Sequence, residues 1–296
     1  MIKIAALDKS FDGFRALSNF NINVKKGSIY GLIGKNGAGK TTVINHLAGI
    51  LKADRGSVTI EDAPVYDNQK IKERVGYIPD DLSYLKPHTL KSYSRFLRAL
   101  YPHWNQTRFV GMTSEFQLDM EKRIGHFSKG MQKQAAFVLT MSQMPDYLLL
   151  DEPIDGLDPI VRKLVWKHMM DDVAQRGTTV LVSSHNLREM EGVCDCVGII
   201  ADGSMARERD LDDLTSDIHK VQVAFKEPVE NPYSGLNILH RESRGTMDLL
   251  VVRNKKERVE EVIGEHNPAV FDVLPLSLEE IFIYELGGAS DESILF

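Results

Sequence analysis

The stretch GKNGAGKT at residues 34–41 fits the pattern G-x-x-x-x-G-K-[S/T]. It follows the short apolar run SIYGLI and precedes a segment in which Val43 and Ile44 begin a helical pattern. Glycines let such a loop wrap closely, so that backbone N–H groups point at a phosphate chain, and the helix N-terminus adds a favourable dipole. An ordinary Gly-rich turn is the alternative, but it would not require Lys40 or Thr41. The sequence therefore predicts a phosphate-binding loop between a buried strand and a helix.

Individual side chains of this loop have predicted contacts of their own. Lys40 would neutralise the β- and γ-phosphates of ATP, and the hydroxyl of Thr41 would hold Mg²⁺. The other predicted nucleotide-binding positions surround the phosphates, and they are Gly34, Asn36, Gly37, Ala38, Gly39 and Thr42.

In YLLLDEP, at residues 147–153, two carboxylates follow the apolar run YLLL. Ligands of open α/β sheets collect at the carboxyl ends of the strands. Asp151 is therefore predicted to bind Mg²⁺ directly or through water, and Glu152 to orient or deprotonate the water that attacks the γ-phosphate. An isolated acidic pair at a strand end would more often be solvated. The phosphate loop upstream is what favours the catalytic interpretation.

A histidine, His185, ends the next apolar run, TTVLVSSH at residues 178–185. A lone histidine is usually a surface residue or a satisfied core residue. This one follows a strand that we expect near the strand of Asp151, so we predict that its imidazole reaches the γ-phosphate.

A helix start is visible in FSKGMQKQAAFVL, which begins at Phe127. Ser128 is the predicted N-cap, and the alanines and valine that follow supply helix formers and an inward face. As a cap alone, the serine would contribute ~1 kcal/mol of local stability.

The arrangement of apolar segments predicts the architecture. Short apolar strands alternate with helical segments, which indicates an α/β fold with a mainly parallel sheet covered on both faces. Residues from about 81 to 145 have helical periodicity and are predicted to form a helical insert. We place the first domain at residues 1–213 and a small α+β domain at residues 216–288, followed by a flexible tail at residues 289–296.

Composition limits the class of protein. The 296-residue chain has a net charge of −6, which provides no strong positive field for a nucleic-acid backbone, so no nucleic-acid partner is expected. The two cysteines, Cys194 and Cys196, have neither zinc nor redox spacing and indicate a reduced, cytosolic protein. No run approaches the ~20 apolar residues that cross a bilayer, and Asp8 and Asp12 stand where a signal peptide would be apolar. We expect any membrane association to depend on another chain.

Taken in order, the phosphate loop, FSKGM, LLLDEP, GLD and SSH resemble the motif set of the ATPase cassettes of ABC transporters, over about residues 1–210. FSKGM together with LYPHW at residues 100–104 is similar to bacterial cassettes of the group that accompanies GntR-type regulators and drug or cell-envelope exporters. The resemblance implies a P-loop NTPase cassette with antiparallel N-terminal strands, ATP and Mg²⁺ as cofactors, and ATP hydrolysis.

The resemblance also implies a site shared by two subunits. Ser128 and Gly130 would point the positive end of their helix at the γ-phosphate bound by a second cassette, and Asp158 of GLD would communicate across the dimer. Phe11 would stack on adenine, although a bare aromatic is more often part of a core. One phosphate loop per chain implies a homodimer or a sister cassette.

Several residues depart from the family pattern. Asp80 in GYIPD stands where the family normally has a glutamine that reaches Mg²⁺ and the attacking water. An aspartate is shorter and charged, so we predict a catalytic position with a tighter or water-mediated metal contact. Lys129 and Met131 make the signature bulkier than the usual L-S-G-G-Q, and Asp155 alters the region ahead of GLD. The bulkier signature concerns the rate of hydrolysis rather than nucleotide binding.

The resulting interpretation is an ATP-binding and ATP-hydrolysing subunit of a bacterial exporter, cytoplasmic and held at the inner face of the membrane by a separate transmembrane permease. A soluble ABC-type ATPase that acts as a scaffold or assembly factor is the alternative. Several such relatives carry a fused second cassette or a long coiled coil, and neither occurs in this sequence. A third hypothesis is a nucleotide-gated binding module with degraded catalysis, suggested by Asp80 and the altered signature. The C-terminal domain has no chemical motif. Its role could be to stabilise the dimer or to make a regulatory contact.

Overall fold

The computed structural model describes residues 1–211, 218–227 and 229–285. The strands in these ranges are β1 (Ile2–Phe11), β2 (Phe14–Val24), β3 (Ile29–Ile33), β4 (Arg55–Ile60), β5 (Ala63–Pro64), β6 (Val75–Ile78), β7 (Tyr147–Asp151), β8 (Thr179–Ser184), β9 (Cys196–Ala201), β10 (Ser204–Asp210), β11 (Ile218–Ala224), β12 (Ile238–Arg244), β13 (Met247–Arg253) and β14 (Val270–Leu274). The helices are α1 (Lys40–Leu47), α2 (Gln69–Lys72), α3 (Leu90–Leu100), α4 (Gln106–Glu115), α5 (Lys129–Met141), α6 (Pro159–Arg176), α7 (Lys256–Gly264) and α8 (Leu278–Glu285). None of these helices combines the length and the apolar character needed to cross a bilayer.

The central sheet has the strand order β10-β9-β3-β8-β7-β6. Its pairs β3–β8, β3–β9, β6–β7 and β7–β8 are parallel. Every residue of β3, β7 and β8 is buried, as expected for parallel strands that are covered on both faces. The predicted α/β fold is confirmed. Parallel register also places the end of β7 beside the end of β8, with Asp151 opposite Ser183.

A second sheet, of order β2-β1-β4-β5, contains the antiparallel N-terminal strands that the resemblance implied. Along β2 the side chains at Phe20, Ile22 and Val24 are buried while those between them are exposed, so one face of the sheet packs on the core. Gly56 allows β4 to approach β1 closely. A Cβ atom there would lie 2.3 Å from the carbonyl oxygen of Ala6, and its φ is +83°.

The predicted helical insert consists of α3, α4 and α5, with 3₁₀ turns at Ser83–Leu85 and Ile124–His126. Each long helix begins at a side chain that accepts a hydrogen bond from the first turn. The caps are Thr89, Asn105 and Ser128, whose acceptor oxygens receive the N–H groups of Ser92, Arg108 and Met131. The predicted cap at Ser128 is therefore confirmed.

The chain divides into two compact units. The cassette unit comprises Met1–His185 and Cys196–Glu208, and the C-terminal unit comprises Asn186–Asp195 and the chain from Arg209 onwards. The predicted boundary at 213–216 and the tail at 289–296 lie outside the described residues. The segment Asn186–Asp195 lies within the predicted ATPase domain but groups with the C-terminal unit.

The C-terminal unit has the α+β composition that its sequence predicted. An antiparallel sheet of order β12-β13-β11-β14 packs apolar side chains of β11 and β13 with those of α7. Val221, Leu250, Val252, Val259 and Ile263 form the fully or almost fully buried centre of this small core. The core gives the unit a stabilising interior of its own.

Candidate active site

The predicted phosphate loop borders a cavity of about 330 Å³. Most of the predicted nucleotide-binding residues line it, together with Asp80 and Glu152. The lining residues are Phe11, Phe14, Ala16, Lys35, Asn36, Gly37, Gly39, Lys40, Thr41, Thr42, Asp80 and Glu152. Gly34 and Ala38 belong to the same loop but not to the lining of the cavity. The structure thus brings together residues that lie far apart in the sequence.

Two glycines give the loop its course. Gly39, the N-cap of α1, has a φ of +110°, and a Cβ atom there would lie 2.9 Å from the Leu17 side chain. A Cβ atom at Gly34 would lie 2.5 Å from the carbonyl oxygen of Ile200. A larger residue at either position would push the loop away from the strands that support it.

Lys40 is buried, with 5% of its surface exposed. Its Nζ donates hydrogen bonds to the carbonyl oxygens of Gly34, at 2.5 Å, and Lys35, at 3.2 Å. Nζ also lies 3.2 Å from Oε1 of Glu152. The ammonium is therefore held at the floor of the cavity by its own loop and by one carboxylate.

Asp151 is almost completely buried at the end of β7, with 1% of its surface exposed. Its two oxygens accept hydrogen bonds from the hydroxyls of Thr41 and Ser183, each at 2.6 Å. The burial of Tyr77 and the nearby charge of Asp151 raise the pKa of the Tyr77 hydroxyl to about 12, so this phenol stays neutral. Thr41 and Asp151 are thus already oriented toward each other at the edge of the cavity.

These oxygen donors fit a hard divalent cation, because Mg²⁺ binds through one or two protein oxygens together with phosphate and water. Within residues 1–211, 218–227 and 229–285, no group of three or more His, Cys, Asp and Glu side chains could hold a metal by itself. The hydroxyl of Thr41 and the carboxylate of Asp151 are oxygen donors of the kind that Mg²⁺ prefers.

Glu152 has an unusual backbone conformation, and its two carboxylate oxygens have different neighbours. Its φ is +48°, in the left-handed region that a glutamate seldom adopts, and its N–H donates to Oγ of Ser183 at 3.1 Å. One carboxylate oxygen, Oε2, lies 3.0 Å from Nδ1 of His185. The other, Oε1, is buried and makes no hydrogen bond in the described structure, although the Lys40 ammonium is near. One carboxylate oxygen thus contacts His185, and the other faces the Lys40 ammonium.

His185 follows β8, which pairs with β7 as we expected. Half of its side chain is exposed, and its imidazole contacts Glu152. The contact of His185 with a γ-phosphate stays a prediction.

Two aromatic side chains stand at the outer side of the cavity. Phe11 ends β1 and Phe14 begins β2, and they pair across the turn with 41% and 67% of their surfaces exposed. Exposed aromatic rings beside a nucleotide pocket support the predicted stacking role of Phe11. Phe14 was not predicted as a site residue, although its position opposite Phe11 in the same hairpin could have indicated it.

The signature segment and the loop before α6 pack against each other. A Cβ atom at Gly130 would lie 3.2 Å from the carbonyl oxygen of Gly156, so the start of α5 is close to the GLD backbone. Asp158 is the N-cap of α6 and accepts from the N–H groups of Ile160 and Val161, each at 3.0 Å. The roles of Ser128, Gly130 and Asp158 toward a second subunit stay predictions.

Two further polar residues of the site were missed by the sequence analysis. The Ser183 hydroxyl donates a hydrogen bond to Asp151 and accepts one from the N–H of Glu152. The expected pairing of the strands that carry SSH and LLLDEP could have indicated this role. Lys133, on α5, bonds the carbonyl oxygen of Glu152 and pairs with Asp80. Nothing in the local sequence indicated the pairing of Lys133 with Asp80.

The chain is similar to members of a known protein family. A family model described as ABC transporter matches residues 17–155. The ABC transporter ATP-binding protein YtrB of Bacillus subtilis (strain 168) is 32% identical over 288 residues, which cover 97% of this chain and 99% of YtrB. The bacitracin transport ATP-binding protein BcrA of Bacillus licheniformis is 33% identical over 218 residues, which cover 72% of this chain and 71% of BcrA.

The fold is shared with solved cassettes. The dimeric post-hydrolysis structure of the ATP-binding cassette MJ0796, bound to ADP and Pi, has a TM-score of 0.65 and 22% identity, and covers 71% of this chain and 99% of that chain. The nearly full-length match to YtrB extends the similarity through the C-terminal unit. With its phosphate loop, its paired carboxylates and these relatives, the chain belongs to the ATP-binding subunits of ABC transporters.

Proposed function

We propose that this chain binds Mg-ATP and hydrolyses it as one of two head-to-tail cassettes that drive a separate membrane permease. One observation carries the proposal. Lys40, Thr41, Asp151, Glu152 and His185, from three segments of the chain, meet at one edge of the parallel sheet, around the phosphate-loop cavity.

The residues of the loop account for nucleotide binding. Lys40 would exchange the carbonyl oxygens of Gly34 and Lys35 for phosphate oxygens, and the helix N-terminus of α1 would favour the anion. Thr41 and Asp151, with Asp80 at the mouth of the cavity, would hold Mg²⁺, which neutralises charge on the transferred phosphoryl group when bound.

Glu152 is the proposed general base. Oε2 contacts His185 and Oε1 pairs with Lys40, so we expect Oε1 to accept a proton from the attacking water once a bound phosphate has taken its place at Lys40. The bond from the Glu152 N–H to Ser183 holds this carboxylate at a fixed position beside Asp151. His185 positions Glu152 through its contact with Oε2, and we expect its imidazole also to reach the terminal phosphate.

A second cassette would complete the site. Ser128 and Gly130 begin α5, and Ile160, next to the GLD loop, has 81% of its surface exposed. An isoleucine this exposed beside a functional loop favours a surface that another subunit covers. The related MJ0796 cassette is described as dimeric. The partner that we propose is an identical chain or a sister cassette.

The helical insert provides the surface for the permease. A groove of about 430 Å³ lies between the insert and the central sheet, and four tyrosines line it with Leu97: Tyr77, Tyr84, Tyr93 and Tyr101. Beside it on α3, Phe96 and Leu100 expose 53% and 54% of their surfaces. A groove of this composition suits an amphipathic helix. We propose that a cytoplasmic helix of the permease docks there, that the chain is peripheral at the inner face of the membrane, and that transport is outward, as in the cassettes that its motifs resemble.

A pull-down tests the transport assignment. The tagged chain, purified from gently solubilised membranes, should bring down a multi-span membrane protein, and Phe96→Glu should weaken that association while the ATPase activity of the isolated chain persists. A charged residue on α4, as in Val110→Glu, is the matched control. Val110 is also exposed, at 46%, but no residue of α4 lines the groove, whereas the Phe96 ring packs on the groove residue Tyr93, with 5.6 Å between ring centroids. Recovery of soluble proteins alone, with intact ATPase activity, would favour the scaffold function instead.

A further inference from the structure

The ammonium of Lys133 lies among three other segments of the site. Its Nζ donates a hydrogen bond of 2.6 Å to the carbonyl oxygen of Glu152. It lies 3.4 Å from Oδ1 of Asp80 and 3.9 Å from Oδ2 of Asp155. One side chain of α5 therefore reaches the end of β7, the segment after β6 and the loop before α6.

The partners of Lys133 differ in how firmly they are held. The Lys133 side chain itself is only 12% exposed, and the carbonyl group of Glu152 belongs to the backbone next to β7. Asp80 and Asp155 are 63% and 59% exposed, so water competes for both carboxylates. The hydrogen bond to the carbonyl oxygen of Glu152 thus fixes the position of the Lys133 ammonium. The two aspartates supply the negative charge that a poorly hydrated ammonium needs.

Asp80 connects this cluster to the nucleotide site. It lines the phosphate-loop cavity together with Lys40 and Glu152. It also lines a second cavity, of about 620 Å³, together with Lys133 and Asp155. A carboxylate at this position would repel a phosphate chain unless a cation is near, and the closest cation that pairs with it in the described structure is Lys133.

We propose that Lys133 is a positioning residue of the ATPase reaction with two separable effects. Through the carbonyl oxygen of Glu152 it holds the backbone of the general base in its left-handed conformation. Through its charge it compensates Asp80, so that the cavity can accept phosphates despite an aspartate at its mouth. This inference rests on the proposed ATPase function, since it assigns a residue to the same site.

The two effects predict different kinetic consequences. Lys133→Met keeps the length of the side chain but removes the donor and the charge. The Glu152 backbone then loses its bond, which lowers kcat, and Asp80 is left uncompensated, which raises the Kd for ATP. Adding Asp80→Asn to Lys133→Met removes the repulsion but does not restore the donor. The double variant should therefore recover its affinity and not its kcat.

A set of full-length variants tests this prediction: Lys133→Met, Lys133→Arg, Asp80→Asn and Lys133→Met with Asp80→Asn. The Kd for ATP is measured on each protein by calorimetry without Mg²⁺, because a metal held by Asp80 would also compensate its charge. Phosphate release with Mg²⁺ gives kcat and KM, after circular dichroism has shown native secondary structure. Lys133→Arg should retain most of both properties, because it keeps the charge and donors. Lys167→Met is the matched control, since Lys167 is 63% exposed on α6 and pairs only with Asp171 among the contacts described for it.

The supporting result is a fall in kcat of about tenfold or more and a rise in Kd of about three- to tenfold for Lys133→Met, with the Kd of the double variant within about twofold of wild type and its kcat still low. Values of kcat and Kd within about twofold of wild type for Lys133→Met would overturn the proposal. So would effects on Kd that simply add in the double variant.

The affinity measurements also separate this inference from the proposed function. If the wild-type chain binds ATP but releases no phosphate, the ATPase assignment fails. The double-mutant cycle of Kd values for Lys133 and Asp80 still decides whether the lysine compensates the aspartate. If ATP does not bind, the melting temperatures of the same four proteins without nucleotide replace Kd in the cycle. Additive temperature changes would then reject the Lys133–Asp80 coupling.

Discussion

Lys40 Nζ lies 3.2 Å from Glu152 Oε1, so the side chain predicted to bind phosphate and the side chain predicted to activate water are in direct contact at the cavity. Both are largely protected from solvent, with 6% and 14% of their side-chain surfaces exposed. A phosphate chain that binds Lys40 must compete with this carboxylate. The general base therefore opposes nucleotide binding in the structure described, and its removal should have opposite effects on binding and on hydrolysis.

Glu152→Gln should bind ATP about three- to tenfold more tightly and hydrolyse it at least ~100-fold more slowly. The amide keeps the shape of the side chain but has neither the charge that competes for Lys40 nor the basicity to take a proton. Calorimetry with Mg-ATP measures the affinity, and phosphate release measures the rate. Blocked hydrolysis should also trap a dimer that light scattering detects with saturating Mg-ATP.

Glu115→Gln is the control for that variant, because Glu115 contacts His168 away from the cavity. It should change neither the affinity nor the rate. A Glu152→Gln protein that remains monomeric with saturating Mg-ATP would count against the proposed dimer cycle, and an unchanged hydrolysis rate would remove Glu152 from catalysis.

Asp151→Asn should abolish most Mg-dependent hydrolysis and also destabilise the fold. The carboxylate accepts two hydroxyl donors on its two oxygens, and an amide has only one acceptor oxygen. One of the two hydroxyls thus loses its acceptor, at a cost of about 1–3 kcal/mol if it is that of the buried Ser183. Denaturant unfolding measures the stability, and titration of phosphate release with Mg²⁺ measures the metal requirement. Thr41→Ser, which keeps the hydroxyl, should retain both properties; an equal loss there would mean that the methyl group, not the hydrogen bond, is what matters.

The central part of this site could be predicted because of how parallel sheets are built. The runs before Asp151 and His185 are apolar at nearly every position, as a strand covered on both faces requires. Neighbouring parallel strands end at one edge, so side chains that follow them meet in space. The order of the motifs and this rule were sufficient to bring Glu152 and His185 together.

Other features depended on contacts that a local pattern does not carry. Helical periodicity places Lys133 on α5, but whether it reaches Asp80 depends on the path of the segment after β6. The edge strand β12 (Ile238–Arg244) has mostly polar or half-buried side chains, so it lacks the apolar run that predicted β7. The grouping of Asn186–Asp195 with the C-terminal unit is likewise set by contacts distant in sequence.

Acid should weaken the cassette through Glu61. Hydrogen bonds from Arg74 and Tyr147 lower the pKa of the Glu61 carboxyl from 4.5 to about 2. Because the folded pKa lies below the unfolded one, the stabilisation is fully present above about pH 5 and is lost as the pH falls towards 2. The side chain is 36% exposed, so we expect a contribution of only about 1 kcal/mol.

Glu61→Gln tests this pH dependence. The variant should unfold below the wild-type melting temperature by about 2–4 °C at pH 7, and the difference should shrink as the pH is lowered from 5 to 3. Scanning calorimetry across that range gives both curves. A difference that stays constant over the whole range would show that Glu61 stabilises the fold by packing and not by its charge.

Ser128 has a structural role that can be separated from its proposed role toward a second subunit. Its hydroxyl caps α5 by accepting the N–H of Met131 at 3.2 Å, and Asn105 caps α4 by accepting the N–H of Arg108 at 2.9 Å. Removing either cap should cost about 1 kcal/mol of stability. If Ser128 also contacts the nucleotide bound by a second cassette, Ser128→Ala should lower kcat by about tenfold or more, whereas Asn105→Ala should leave it within about twofold.

Phosphate release at saturating ATP and denaturant unfolding, measured on both variants, decide between the two roles of Ser128. If the cassette is a homodimer, mixing two variant chains provides a further test of a contact in trans. A Ser128→Ala chain combined with a Lys40→Ala chain should form dimers in which one composite site carries both defects and the other site neither. Such mixtures should therefore recover activity that neither variant has alone. Equal loss of stability with no difference in kcat between Ser128→Ala and Asn105→Ala would leave Ser128 as a helix cap only, because a contact in trans must affect turnover beyond the stability of its own helix.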